Sequence, residues 1–404
     1  VHPKPKLPFP GVQLLLALRA VQAHGSTSAA AVALFRSQPA ISQAIAQMEK
    51  HFATDLFVRT STGMATTPAG EVVLRRVLRA LDHLAAGIGP TAPRQLFAIG
   101  GAQLLALEAV AQAGGFGVAA RATGLSRAGL HRACRALERT LGAALFETTS
   151  HGVVCTRDGA ALARRVSLAA AELQQAHTEI AASSSSGNAR IVIGAMPLAR
   201  TSLVPDAVLQ FAALHPNHVV TLLDGPYETL LAALRRGAAD LLVGALREPS
   251  PGNDVVQALL FDDPLAIVVR RGHPLLSQPL LCQPVVDAHA LQAYPWIAPR
   301  VGTPLREHFE TLFEGIGHPA GIVECNSLSV ARALLRTSDH VMLLSAHQVG
   351  PDLDSGALAL LPHPQGTVLR HIGITTRKDW HPTAVQAEFL AILRALGTGA
   401  KRFR

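Results

Sequence analysis

Two short runs concentrate side chains able to make directed hydrogen bonds to an anion or a base edge. The first is Ser37-Gln38-Pro39-Ala40-Ile41-Ser42-Gln43 and the second is Ser126-Arg127-Ala128-Gly129-Leu130-His131-Arg132. Ser and Gln bond phosphate oxygens or base edges, Gln pairs well with adenine, and Arg grips phosphate. Arg59 adds a cation downstream of the first run. Covalent chemistry has less to build on. The chain holds no GxSxG, no HExxH and no phosphate loop, and Ser345 near His347 is the nearest approach to an acid–base pair. Cys134, Cys155, Cys282 and Cys325 are too scattered for a disulfide framework and form no CxxC pair. No metal and no cofactor is expected, and no enzymatic role.

Each run needs a helix start to present it. Ser37 is placed to cap a helix whose first turn takes Pro39, where a missing N–H costs nothing. Ile41, Ile45, Met48 and Phe52 then form a buried stripe, leaving Ser42, Gln43 and Gln47 to point elsewhere. Upstream, Val12 to Ala23 has helical periodicity, Gly25-Ser26-Thr27 breaks it, and Ser26 or Thr27 can cap a short Ala-rich helix at Ala29 to Phe35. Downstream, Leu56 to Arg59 and Met64 to Thr67 read as two strands around Ser61-Thr62-Gly63. Pro68-Ala69-Gly70 then opens a long helix to about Gly87. Two helices, a tight turn, a third helix and a hairpin make a winged helix-turn-helix.

This unit recurs. At an offset of 89 residues, Gly25 falls on Gly114, Ser37 on Ser126 and Glu49 on Glu138. Leu56-Phe57 falls on Leu145-Phe146, Thr67 on Thr156, Gly70 on Gly159, and Arg75-Arg76 on Arg164-Arg165. The charge follows the repeat. Residues 1–181 hold 18 Lys+Arg against 10 Asp+Glu, whereas residues 182–404 hold 18 of each, so the whole excess of +8 lies in the repeated part. A basic module joined to a neutral one suggests a polyanion binder coupled to a small-ligand sensor. Taken singly, Ser37 is as well read as a plain cap and Gln43 as a solvated residue; with the repeat and the charge beside them, the DNA reading prevails.

The run Gly25-Ser26-Thr27-Ser28-Ala29-Ala30, then Ser37 to Gln43, Glu49, Leu56 to Arg59 and Thr67-Pro68-Ala69-Gly70, resembles the winged helix-turn-helix of LysR-type transcriptional regulators. The resemblance implies that Gln38, Pro39, Ser42 and Gln43 face DNA and that the long helix after the wing is a dimerisation helix. Ser37, Arg59 and Thr67 complete the candidate DNA-binding set of the first copy, and Ser126, Arg127, His131 and Arg132 form that of the second. Relatives normally carry one such unit, and the position of Gln43 is often basic in them. The second copy has Thr148 at the position of Arg59 and Glu147 beside it, a carboxylate that would repel phosphate, so the first copy is expected to be the stronger reader; either both copies bind, giving an extended or composite operator, or one serves mainly as a dimer spacer.

Beyond Ser183-Ser184-Ser185-Ser186-Gly187, a flexible-linker signal, strands and helices alternate. Arg190 to Gly194, Val219 to Leu223, Asp240 to Gly244 and Leu265 to Val269 read as strands, with helices at Leu203 to Leu214 and Tyr227 to Arg236. A second block of strands follows at Trp296 to Pro299, Gly321 to Cys325, Val341 to Ser345 and Ile372 to Thr376. This rhythm predicts parallel sheet in two lobes with a ligand cleft. Leu234 to Gly244, His273-Pro274-Leu275, Pro299 to Arg306 and Ser345 to Gln348 are similar to the effector-binding domain of the same family. That resemblance places an inducer near Leu198, Tyr227, Leu246, Thr303 and Ser327, where helix N-termini and hydroxyls suit an organic acid, and nearby Arg200 and Thr201 can substitute for an anion contact missing at Leu198. Leu198 stands where many relatives have Ser or Thr.

The expected architecture is therefore multidomain: two tandem α-helical winged helix-turn-helix domains, then a two-lobed α/β periplasmic-binding-protein-like domain. The domains are residues 10–89, residues 99–181 with a linker helix, a flexible linker at 182–189, and the effector-binding domain at 190–396. The expected function is promoter binding switched by a small-molecule effector, in a cytoplasmic homo-oligomer (a dimer or tetramer). Two alternatives stand beside it. One is a thiol redox-sensing regulator using Cys282 and Cys325. The other is a solute-binding or enzymatic α/β protein with a degenerate DNA-binding region. The second is disfavoured by the repeat and by prolines where a secretory signal needs an apolar core, at Val1-His2-Pro3-Lys4-Pro5-Lys6.

Overall fold

The computed structural model describes residues 9–61, 63–89, 93–150, 152–182, 189–277 and 287–400. They divide into two compact units, the first comprising the residues up to Ala189 with Arg236–Ala238, and the second Arg190–Arg235 with the residues from Ala239 on. Residues 183–188 of the expected linker lie outside the described residues, as do Thr62 of the hairpin and Cys282. Among the described residues, no single helix is long and apolar enough to cross a membrane.

The first unit opens with α1 (Val12–His24), ended by Gly25 in the left-handed region. The Ser26 hydroxyl accepts from the Ala29 N–H at 3.0 Å and starts α2 (Thr27–Ala33), two residues ahead of the position that the sequence suggests. Helix α3 (Gln38–Phe52) follows with Pro39 in its first turn and Ser37 at the cap position, though the Ser37 side chain accepts no hydrogen bond from it. Ile41, Ile45, Met48 and Phe52 are buried as their spacing requires. Strands β1 (Phe57–Thr60) and β2 (Gly63–Thr66) pair antiparallel, Phe57 opposite Thr66, and lead into α4 (Pro68–Ile88). A short α5 (Pro93–Phe97) precedes the second copy. That copy is α6 (Gly101–Ala113), α7 (Phe116–Thr123), α8 (Arg127–Leu141), β3 (Phe146–Thr149), β4 (Gly152–Cys155) and α9 (Arg157–Ala182).

Repeat-matched residues turn out to hold the hairpins in place. Glu49 Oε1 accepts from the backbone N–H groups of Leu56 (3.0 Å) and Phe57 (3.4 Å), and Glu138 Oε1 does so from Leu145 (2.9 Å) and Phe146 (3.1 Å). Thr67 donates to the Asp55 carbonyl and accepts from the Gly70 N–H; Thr156 does the same with Ala144 and Gly159. A Cβ on Gly70 would lie 2.0 Å from the Leu56 carbonyl oxygen, and one on Gly159 2.1 Å from that of Leu145, so only glycine fits at either place. One apolar core runs through both copies, from Leu15 and Leu18 through Leu74 and Leu84 to Leu107, Leu137 and Val166. Each fully buried Leu contributes roughly 1.5–3 kcal/mol. The long helices α4 and α9 pack against each other within this one chain.

The second unit begins with β5 (Arg190–Ala195), α10 (Leu203–Leu214), β6 (Val219–Leu223), α11 (Tyr227–Arg235), β7 (Leu241–Ala245) and β8 (Val255–Arg270). It continues through α12 (Pro274–Ser277), α13 (Ala288–Gln292), β9 (Trp296–Ala298), α14 (Pro304–Leu312), β10 (Ile322–Glu324) and α15 (Leu328–Thr337). It ends with β11 (Val341–Ser345), α16 (Ala346–Asp354), β12 (Leu358–Leu361), β13 (Leu369–Arg377) and α17 (Ala384–Ala400). Strand order is β10-β9-β11-β8-β13-β7-β5-β6, with β12 also on β8.

Here the structure corrects the parallel-sheet expectation. Pairings β5–β6, β5–β7, β9–β10 and β9–β11 are parallel, but β8 and β13 run antiparallel to their neighbours. Strand β8 spans 16 residues and serves both lobes; its polar middle, Asp262-Asp263-Pro264, mimics a turn in sequence. Asp263 is instead wholly buried and paired. Ile372 to Thr376, expected in the second block, belongs to β13 and the first lobe's sheet. The two lobes have separate cores, one around Phe211 and Phe389, the other around Trp296, Phe309 and Phe313.

Candidate nucleic-acid interface and effector loops

The start of α3 is open to solvent. Residues 35 to 40 are all exposed, as is Gln43, while Ser42 is half-buried. Gln38 Nε2 donates to Thr27 Oγ1 at 3.2 Å and to Ser42 Oγ at 3.1 Å. The amide thus ties the first turn of α3 to the start of α2, and it holds Ser42 ready beside the exposed Gln43. Thr27 has a positioning role that the sequence reading missed; its only sequence signal is a hydroxyl next to the Ser26 cap. Arg59 is exposed on β1 opposite Met64, and the half-buried Thr67 uses its hydroxyl within the fold.

The start of α8 is built differently. Ser126 caps it by accepting from the Gly129 N–H at 3.0 Å. Arg127, His131 and Arg132 are exposed, and the His131 ring lies 5.3 Å from that of Phe116. Arg135, one turn further on, binds Glu138 at 3.0 Å, so its charge is partly spent on the carboxylate that anchors the hairpin. Arg127 thus stands in the first turn, where helix N–H groups also favour an anion, and Arg132 one turn further on.

In the second unit, Leu198 is buried in the first lobe's core. Its carbonyl accepts from the Thr201 hydroxyl at 2.7 Å, and the same hydroxyl lies 3.3 Å from the His347 carbonyl of the other lobe. Arg200 pairs loosely with Asp224 at 3.6 Å. Arg247, next to Leu246, stacks 4.2 Å from the Tyr227 ring centre, and burial raises the Tyr227 phenol above its usual range. Across the other lobe, Thr303 caps α14 and Ser327 caps α15, and the Arg300 N–H donates to Asn326 Oδ1 at 2.9 Å between their loops. Among the described residues, no hydrogen bond joins Thr303 or Ser327 to the first-lobe set. The junction residues Asp263, Arg370, Ser345 and Gln348 form a buried network; the sequence singles out Ser345 to Gln348 but gives no sign that Asp263 and Arg370 are their partners.

Two of the described cysteines, Cys134 and Cys155, are poorly placed as nucleophiles. Cys134 is buried and its thiol is pushed up to about 12, first by burial and then by Glu138; burial also raises Cys155. Cys325 Sγ accepts from the Ser327 N–H at 3.3 Å in the α15 cap.

Comparison with known proteins gives a consistent pattern. The model of the bacterial regulatory helix-turn-helix protein, lysR family, matches residues 12–71 and again 102–160. The LysR substrate binding domain model matches residues 184–397. The chain is 32% identical over 398 residues to the HTH-type transcriptional regulator GalR of Pseudomonas putida, covering 96% of this chain and 98% of that one. It is 30% identical over 261 residues to the HTH-type transcriptional regulator PcaQ of Agrobacterium fabrum, covering 64% and 82%. Among solved structures, ArgP from Mycobacterium tuberculosis is similar with a TM-score of 0.57 at 18% identity, over 77% of this chain and 98% of that one.

Proposed function

The chain belongs to the LysR family of bacterial transcription regulators, and from that premise we propose how its parts divide the work. It is a DNA-binding regulator with a C-terminal domain of the effector-binding type. In our reading, residues 10–89 and 99–181 are tandem winged helix-turn-helix domains, 182–189 is the linker, and 190–396 is the effector-binding domain. The chain acts in the cytoplasm as a homo-oligomer, without catalysing a reaction.

The first copy is the sequence reader. Ser37, Gln38, Pro39, Ser42, Gln43 and Arg59 present hydroxyls, amides and one cation, with Thr67 fixing the wing from behind. Ser126, Arg127, His131 and Arg132 supply mainly phosphate contacts, which hold register without specifying sequence. The observation that carries this is the Gln38 amide bridging Thr27 and Ser42 on an exposed helix start, because it pre-orders uncharged groups suited to base edges. Footprinting of Gln38→Ala with Ser42→Ala against Arg127→Ala with Arg132→Ala tests the ranking. The first pair should abolish specific protection and the second should weaken binding on all sequences. Loss of specificity in the second pair alone would reverse it.

The effector is a small molecule, proposed to be an organic acid. Arg200, Thr201, Thr303 and Ser327, with the loops at Leu198, Tyr227 and Leu246, line its place between the lobes. Since the Leu198 side chain is packed away, Arg200 and Thr201 take the anion-binding part that a hydroxyl at that position would play. Ligand binding that favours one lobe arrangement shifts the DNA-bound state. Calorimetric titration of the full chain with carboxylic acids, followed by footprinting with any acid that binds, tests this; an unchanged footprint on saturation would remove the switching claim.

A further inference from the structure

The contacts of α4 with α9 obey a two-fold relation that follows the sequence repeat. Arg76 of α4 reaches Glu172 at 2.9 Å, Gln175 at 2.6 Å and Glu179, all on α9. Near the other end of α4, Gly87 lies against Leu162 and Arg165 of α9, the latter being the repeat partner of Arg76. The helices therefore run antiparallel, and exchanging the two copies carries one contact onto the other. A second pair of contacts does the same. The Val12 N–H donates to the Ile99 carbonyl at 3.1 Å, while Gly101, the repeat partner of Val12, abuts the carbonyl of Phe9 and the backbone of Pro10. A two-fold rotation keeps every point at its height along the axis. If α3 presents its first turn on one side of the pair, α8 presents its own on that same side.

The residues at this interface favour the mixed pair over either self-pair. Were α4 to meet a second α4, Arg76 would face His83 and Ala86 instead of Glu172 and Gln175, and would lose its carboxylate there. Were α9 to meet a second α9, Ala176 would replace Gly87 against Leu162 and Arg165. At Gly87 an added Cβ comes within 2.9 Å of both the Arg165 Cβ and a Leu162 methyl. Charge excludes one self-pair and volume the other.

We propose that a single chain folds its own complete DNA-reading pair, with α4 clasped to α9 intramolecularly, and that the partner it fits is a duplex bearing two unlike half-sites. The α3 start reads one half-site with Gln and Ser, and the α8 start grips the other with Arg and His. The operator of this chain is thus non-palindromic within each bound unit. The operator part rests on the reading that both copies contact DNA; the pairing part does not.

Two measurements on the full chain separate these parts. A chain with Gly87→Cys and Arg165→Cys is oxidised and run without reductant, beside a mixture of two chains each carrying one of the substitutions. The same is done with Gly87→Cys and Leu162→Cys, so that a loss of folding in one design does not decide the matter. Cross-linking within one chain length, absent from the mixture, is the expected result. A two-chain product, equal cross-linking in the mixture, or no bond in either design overturns the pairing. Selection from random duplex DNA then reads the operator. Enrichment of one half-site with no inverted copy of it is expected, and Arg127→Ala with Arg132→Ala lowers affinity without changing the enriched sequence. A palindrome overturns the operator part. No enriched sequence overturns it together with the DNA-binding reading, while the cross-link still decides the pairing.

Discussion

Asp263 of β8 and Arg370 of β13 meet at 2.5 Å, carboxylate oxygen to guanidinium nitrogen, where β8 passes from one lobe of the second unit to the other. Ser345 and Gln348 from the second lobe complete the arginine's partners, and His347 Nδ1 lies 2.8 Å from the other carboxylate oxygen. This network ties together the strand that crosses and the helix that follows β11. Asp263→Ala would leave Arg370 buried without its counter-charge, at a cost of about 3–5 kcal/mol. Chemical denaturation of the second unit's transition checks this, and a loss below about 1 kcal/mol would contradict it.

The two hairpins depend on Glu49 and Glu138 in the same way. Glu138→Ala removes the acceptor for two backbone N–H groups, and that of Leu145 is buried. We expect a loss of about 1–3 kcal/mol. Glu49→Ala should behave alike in the first copy. Hydrogen exchange at Leu145 and Phe146 should rise in the Glu138 variant while exchange at Leu56 stays as it was; a global change in both hairpins would contradict local anchoring.

Along α4, neighbouring arginines should differ sharply. Arg76 is buried among Glu172, Gln175 and Glu179, whereas Arg75 is 60% exposed. Arg76→Ala should destabilise the first unit by about 1.5–3 kcal/mol, because it removes the charge-assisted hydrogen bonds to Glu172, Gln175 and Glu179 while Arg79 still pairs with Glu172. Arg75→Ala should cost less than about 1 kcal/mol. Equal effects in thermal unfolding would show that the helix contact is not organised around Arg76.

Acid should loosen the first unit. Burial, reinforced by the facing His51, pulls His177 down from 6.5 to about 4. The folded chain then holds the ring neutral at pH values where the unfolded chain already binds a proton. Stability is therefore complete above about pH 6.5 and falls as pH drops from there toward 4. His363 is lowered to about 4 by burial and His308, so the second unit shares this direction. Denaturant midpoints between pH 7.5 and about 4.5 measure it. His177→Phe should flatten the decline of the first unit, and an unchanged slope would contradict the assignment.

Much of this was legible in the residues. The 89-residue repeat, the buried stripe Ile41-Ile45-Met48-Phe52 and the Pro39 helix start gave the elements of the first unit to within a few residues. Other features resisted for physical reasons. Glu49 and Glu138 look like solvated charges until the hairpin folds back onto them. Asp262-Asp263-Pro264 has the composition of a turn, and only tertiary partners make it strand. The strand β12 was missed because its four apolar residues, Leu358 to Leu361, are too short a run to separate from a loop base. Pairing of α4 with α9 left no local trace: Arg75-Arg76 reads as a basic surface, and its acids lie about a hundred residues away.

The central claim, that the first unit reads DNA sequence, is tested most directly by equilibrium titration of the full chain onto two labelled duplexes. One carries the best site selected from random DNA and the other the same bases shuffled, at salt from about 50 to 200 mM. We predict at least ~1,000-fold tighter binding to the selected site, with affinity for both falling as salt rises. Equal affinity for the two duplexes across that range would contradict the account.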